Sequence, residues 1–152
     1  MSNYTSVLAS LPYAKPFHFV DELTSIDESG AQGSYTIRED EYFFKGHFPD
    51  HPVVPGVILT EIMAQIGLVC LAIHLLQEKG ETSEVLPAFT SSNVDFLKKV
   101  SPKDKLIIES KKVYFRFGKL KCQISCKFPD GTIVAKGEFS GMIVKKQDIE
   151  KA

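Results

Sequence analysis

The sequence predicts an α+β fold in which one long apolar helix is wrapped by five to six mostly antiparallel strands. Residues 55 to 78 form a nearly unbroken apolar stretch, longer than a strand and apolar on almost every face, so it must be covered on most sides. The sequence after it reads as strands only, separated by tight-turn signals. Strands lying mostly after a single helix, with no alternation of strand and helix, are the α+β pattern. No repeat, low-complexity tract or linker interrupts the 152 residues, so residues 1–152 are expected to form one domain.

The elements follow in order. Phe17 to Ile26 alternates loosely and is expected as the first strand. Glu28-Ser29-Gly30 turns the chain into a second strand near Gly33 to Arg38. Tyr42 to Gly46 then leads into a loop carrying Pro49, Pro52 and Pro55. Pro55 suits the first helical position, where a missing N–H costs nothing. The helix is expected to run to about Glu78, with Gly80 as its stop, a length of about 33 Å at standard rise. Leu86 to Phe96 and Lys105 to Phe117 read as strands, and Gly118-Lys119 as a tight turn into Leu120 to Phe128. Asp130-Gly131 is a hairpin signal before a last strand, Thr132 to Val144.

Composition narrows the function classes. The net charge of −1 gives no global reason to expect nucleic acid. The charge is uneven, however. Residues 1 to 61 hold three basic and nine acidic side chains, and residues 98 to 121 hold nine basic and two acidic. A basic docking face for an acidic partner and a solvated strand surface both fit that asymmetry. Three cysteines suit a reducing compartment. Cys122 and Cys126 would share a strand face about 13 Å apart, too far for a disulfide or a shared metal. Val57 to Leu76 is long enough to span a bilayer, but Glu61, Gln65 and His74 interrupt it. A buried core helix is expected instead, with no membrane insertion. The stretch MSNYTSVLAS has no basic region followed by an apolar run, so no signal peptide is expected and the location is read as cytoplasmic.

The chemistry concentrates in residues 46–65, GHFPDHPVVPGVILTEIMAQ. Glu61 has Ile58, Leu59, Ile62, Met63 and Ile66 as neighbours. They disfavour its charged form and suit it to act as a general acid. The plain alternative is a glutamate at the helix rim pointing to water. Gln65 lies one turn on, about 40° around the helix, so the two polar groups share a stripe. His47 sits in a Gly-His-Phe-Pro turn that can aim it at a cleft as a base near neutral pH, or leave it as a surface histidine. His74 would face about 140° away from Glu61 and reads as a core or interface residue. His51 reads as solvated, and His18 has no evident partner. The N–H groups of Gly56 and Val57 lack intrahelical acceptors at the positive end of the helix dipole. They could hold a carbonyl oxygen that gains negative charge, or be an ordinary helix start. No metal-ligand spacing, phosphate loop or nucleophile elbow is present. Acid–base chemistry beside a polarised carbonyl is what remains.

The same segment closely resembles the signature of the 3-hydroxyacyl-(acyl carrier protein) dehydratases of bacterial fatty acid synthesis. Upstream, Leu11-Pro12, Pro16-Phe17 and Val20-Asp21 resemble the family's opening strand; downstream, Phe96 to Val100 and Pro102 to Asp104 resemble its third-strand region. The resemblance implies a hotdog fold, a long central helix wrapped by an antiparallel sheet. It makes His47 the catalytic histidine and Glu61 the catalytic acid, contributed by opposite subunits of a dimer. The Val53 carbonyl would orient the His47 ring, the Gly56 amide would bind the thioester carbonyl, and Gln65 would support the acid. Acyl carrier protein is the implied partner, its phosphopantetheine carrying the substrate with no other cofactor. Lys98 and Lys99 would dock it. The implied assembly is a homo-oligomer, a dimer at least, and the family suggests three dimers in a hexamer. The sequence departs from the family at Asp50, where glycine is usual, and at Ile62, where alanine is usual. Both border the pocket, so the acyl group and the pathway, housekeeping lipid or polyene and polyketide, stay open. An acyl thioesterase of the same fold is a competing reading, as is a non-catalytic subunit that binds acyl chains or pairs with an active partner.

Overall fold

The computed structural model describes residues 2–81 and 85–145. Six strands make one antiparallel sheet in the order β1-β2-β4-β5-β6-β3. They are β1 Glu22–Asp27, β2 Gly30–Thr36, β3 Val85–Phe96, β4 Lys105–Arg116, β5 Lys119–Lys127 and β6 Ile133–Lys145. A short helix, α1 (Ser2–Ala9), precedes them, and the central helix α2 (Gly56–Glu78) lies against one sheet face. This is the hotdog arrangement.

The sheet covers the helix because its strands alternate. In β5, Leu120, Cys122, Ile124 and Cys126 are buried while the residues between them are exposed or half-buried, and Leu106, Ile108 and Ser110 of β4 continue the same inner face. Against them α2 presents Ile62, Met63, Ile66 and Leu71, none with exposed surface. The most apolar stretch of α2 is 78% buried inside the protein, so its length and hydropathy serve the core and not a bilayer. The cysteines are free and buried, with Cys122 and Cys126 on that inner face.

Several elements differ from the sequence expectation, each for a local reason. In place of Phe17 to Ile26, the strand is Glu22–Asp27; before it, the Phe19 N–H is taken by the side chain of Gln65 and not by a ladder. The second strand runs Gly30–Thr36, three residues earlier than its expected start. Pro55 caps the helix and is not its first residue. Its ψ of 144° is extended, and its carbonyl accepts from Ile58 and Leu59. The tight turn after β4 is Phe117-Gly118, both at positive φ, one residue before the expected pair. Helix α1 was not anticipated, although Tyr4, Val7, Leu8 and Leu11 have helical i, i+3, i+4, i+7 spacing and all four join the core. Ser6 Oγ donates to Gln77 Oε1 at 3.0 Å, fastening α1 to the end of α2.

The largest departure lies inside α2. Residues Gln65–Val69 make a π-turn, in which the Cys70 N–H reaches back five residues to the Gln65 carbonyl. Counting at 100° per residue therefore fails beyond Gln65. Gly67 sits in that turn, where an added β-carbon would lie 2.8 Å from Ile124 Cδ1 and 3.1 Å from Ser110 Cβ. A side chain there fits only if the Ile124 side chain or the helix gives way. We expect Gly67→Ala to lose about 1–3 kcal/mol by overpacking, a fall in Tm of roughly 3–10 °C for a chain of this size. Thermal unfolding of the two proteins checks it, and an unchanged Tm would mean the contact is slack.

Candidate active site

Glu61 lies in the second turn of α2, half-buried. Its carboxylate Oε2 accepts a 2.9 Å hydrogen bond from Gln65 Nε2. Gln65 is fully buried, and its amide is spent three ways. Besides Glu61, Nε2 donates to the Phe17 carbonyl at 3.1 Å, and Oε1 accepts from the Phe19 N–H at 2.9 Å. Burial lifts the Glu61 carboxyl above its ordinary value, and the Gln65 bond offsets only part of that. Glu61 thus keeps its proton to a higher pH than a solvated glutamate. It lines a cavity of about 250 Å³ together with Ala64, Leu68 and Ala72 of the same helix face. Aromatic walls come from Tyr13, Phe17 and Phe89.

His47 is held by a closed loop. Its N–H donates to the Phe43 carbonyl and its carbonyl accepts from the Val53 N–H, both at 3.1 Å, while Phe48 and His51 exchange two backbone bonds. Its ring Nδ1 lies 2.9 Å from the Val53 carbonyl. A carbonyl can only accept, so Nδ1 carries a proton, and in the neutral ring Nε2 keeps a free lone pair, the tautomer a base requires. The ring stacks on Phe48, centroids 4.2 Å apart. The segment leading to this loop is anchored by the Arg38–Asp21 ion pair at 2.6 Å and by the Tyr35 hydroxyl on Glu41.

At the start of α2 the N–H groups of Gly56 and Val57 have no acceptor among the described residues, and Val57 is 79% exposed. A β-carbon on Gly56 would touch the Phe96 ring at 3.3 Å, so that ring lies over the glycine. The Val54 N–H donates to the Val100 carbonyl at 2.9 Å. This bond brings the exposed Lys98 and Lys99 alongside the helix start.

The structure thus joins Glu61 to Gln65, His47 to Val53, and the Gly56–Val57 amides to the segment bearing Lys98 and Lys99. It does not place His47 in the wall of the cavity that contains Glu61. His74 is buried, with Nε2 3.5 Å from Glu78 Oε1, away from that cavity, and His51 is exposed. Burial pushes the three cysteine thiols up to about 12, so none is a ready thiolate. Sequence reasoning missed Tyr13 and Phe96. Phe96 carries an available signal, an aromatic at the end of a strand beside two lysines. Tyr13 sits among prolines where no period announces it.

Comparison with known proteins gives consistent matches. A family model described as a FabA-like domain matches residues 11–138. The chain is 37% identical over 142 residues to a curated relative, the 3-hydroxyacyl-(acyl-carrier-protein) dehydratase FabZ of Caldicellulosiruptor saccharolyticus, covering 91% of this chain and 96% of that one. It is 36% identical over 139 residues to the enzyme of the same name from Brucella ovis, covering 91% and 86%. Among solved structures it is similar to the dehydratase heterocomplex ApeI:P from Xenorhabdus doucetiae, with a TM-score of 0.80, 16% identity and 95% of each chain covered. A hypothetical thioesterase protein with coenzyme A from Streptococcus pneumoniae TIGR4 is similar at a TM-score of 0.57 and 12% identity, covering 82% of this chain and 85% of that one. The last two likenesses are of fold.

The raised Glu61 carboxyl has a consequence for stability. A folded-state value above the unfolded one contributes stability that is complete below the unfolded value and lost as pH rises through the folded one. Glu61→Gln keeps the shape and removes that loss. Its Tm should therefore exceed that of the parent by a margin that is small in acid, widens through the carboxyl's titration and then levels off. Thermal melts across that range test it; a margin independent of pH would mean the carboxyl is not raised.

Proposed function

This chain belongs to the FabA-like family and is a hydro-lyase of the 3-hydroxyacyl-(acyl carrier protein) dehydratase type; on that premise we propose that His47 and Glu61 carry its reaction. One observation supports this most: a carboxyl that burial raises above its ordinary value, held by Gln65, in the wall of an otherwise largely apolar cavity. That is an acid positioned to protonate a leaving hydroxyl beside an acyl chain.

The reaction converts a 3-hydroxyacyl thioester to a trans-2-enoyl thioester and water in fatty acid synthesis. His47 Nε2 takes a proton from C2, next to the thioester carbonyl. The N–H groups of Gly56 and Val57 steady the charge that grows on the carbonyl oxygen. The C2–H electron pair becomes the C2=C3 bond, the C3–O bond breaks, and the oxygen leaves as water with the proton of Glu61. Val53 holds the histidine tautomer and Gln65 holds the acid. Base, acid and amide donors complete the step, and the acyl group arrives on the phosphopantetheine of acyl carrier protein with no further cofactor.

The site is read as composite. His47 lies outside the Glu61 cavity of its own chain, and β3 is a twelve-residue edge strand with Phe89 and Phe96 about half-exposed. A long edge of that kind calls for a partner. In a two-fold homodimer each site would take His47 from one protomer and Glu61 from the other, and dimers could assemble further into a hexamer. The same reading places the enzyme in the cytoplasm, with α2 as its core helix.

Purified protein supplied with 3-hydroxyacyl thioesters of several chain lengths should form enoyl product without releasing thiol. His47→Ala and Glu61→Gln should each lower kcat by roughly 10²–10⁴-fold. Thiol release without enoyl product would instead make it a thioesterase, and silence until a second protein is added would make it a subunit of a mixed assembly. Lys98 and Lys99 are proposed to steer the acidic carrier. Reversing both to glutamate should raise KM severalfold for carrier-bound substrate, most strongly at low salt, and spare a short acyl-CoA. Equal effects on the two substrates would remove the docking role.

A further inference from the structure

We propose that Tyr13 is the second polar group of the reaction cavity, hydrogen-bonding the 3-hydroxyl of the substrate, and the water it becomes, beside Glu61. This rests on the dehydratase reading above and adds a residue to it.

Among the described side chains that line the cavity, only those of Glu61 and Tyr13 carry a polar atom capable of a strong hydrogen bond. The Tyr13 hydroxyl has no hydrogen-bond partner among the described residues. It is also not one of the fully buried, unpaired polar atoms, so it is accessible, and Tyr13 lines the cavity. Water can reach it while the cavity is empty, and a substrate hydroxyl arriving there takes the place of that water.

The placement of Tyr13 is tied to that of Glu61. Its ring tilts against Phe17, with centroids 6.4 Å apart. The Phe17 carbonyl accepts from Gln65 Nε2, and the Phe19 N–H donates to Gln65 Oε1. The same Gln65 amide binds Glu61. One buried amide therefore sets both the acid and the segment that carries the phenol. Burial, and then the charge of Glu61, raise the phenol above its ordinary value, so it stays a neutral donor wherever the enzyme works.

The chemistry needs such a donor. As the C3–O bond breaks, the departing oxygen takes the Glu61 proton and becomes a water among apolar side chains. The Glu61 carboxylate supplies one contact to it. The Tyr13 O–H supplies a second, donating to the oxygen without giving up its proton. In the reverse direction the same contact holds the water that attacks C3.

Tyr13→Phe removes the hydroxyl and keeps the ring. Turnover of 3-hydroxyacyl and trans-2-enoyl thioesters by the full-length protein should fall about 10-fold in kcat in both directions, as loss of one hydrogen bond to a reacting group implies. KM and Tm should stay near those of the parent. An unchanged kcat overturns the proposal. So does a rise in KM alone, which would make the phenol a wall of the acyl path, or a matching loss of Tm, which would make it packing. Glu61→Gln is run alongside to separate the two readings. If the parent dehydrates, Glu61→Gln does not and Tyr13→Phe is unimpaired, only the Tyr13 role fails. A parent that never dehydrates takes both readings down.

Discussion

A helix that is apolar on almost every face and carries a glutamine in its interior persists in water only under two conditions. Its sides must be covered, and the amide must find partners for both its nitrogen and its oxygen. The sheet meets the first condition, since β4 and β5 turn Leu106, Ile108, Leu120, Cys122, Ile124 and Cys126 onto α2. The segment Phe17–Phe19 meets the second by giving Gln65 a carbonyl and an N–H, which leaves one amide hydrogen for Glu61. The amide is thus a junction between core, amino-terminal segment and acid. An unpaired amide at that depth would cost on the order of 1–3 kcal/mol, so the segment that satisfies it cannot drift, and Glu61 inherits the rigidity.

Much of this was legible in the sequence, and the parts that were not share a cause. The long helix, its end at Glu78 and the strands after it followed from hydrophobic period and from Gly80, Gly118 and Gly131, each at positive φ. The neighbourhood of Glu61 and Gln65 followed from a spacing of four on a helix. What failed was whatever tertiary contact overrides local pattern. Phe17 to Val20 alternates as a strand would, but Gln65 captures its backbone. Helical counting beyond Gln65 was broken by a π-turn that no residue type announces, although Gly67 in its middle marks the close approach to Ile124. Tyr13 was invisible because its importance lies in what it faces.

The charge asymmetry along the chain reads differently once the fold is known. Two of the basic residues from Lys98 onward are paired with acids. Lys103 pairs with Glu39 at 3.0 Å and Lys121 with Glu138 at 3.2 Å, which are exposed pairs of small energetic weight. Lys98 and Lys99 differ in position, because the Val54–Val100 bond brings their segment beside Gly56. A carrier attracted there would deliver its thioester to free N–H groups within the first turn of α2. Under the proposed docking role, the location of these two lysines counts for more than the total charge.

The balance at Glu61 shows how narrow the requirement on such an acid is. Full burial without a partner would keep the carboxyl protonated but leave it unable to hold the charge it acquires on donating its proton. Full exposure would ionise it before substrate arrives. Half-burial raises the carboxyl, and one neutral amide lowers it by less, so the group keeps its proton to a higher pH than a solvated glutamate yet has a ready donor for the carboxylate it becomes. A lysine or arginine in place of Gln65 would supply a stronger donor, but its charge would pull the carboxyl down and discharge the acid. A neutral amide is among the few groups that can steady both protonation states, and a glutamine one turn after the glutamate therefore fits the acid role proposed for Glu61.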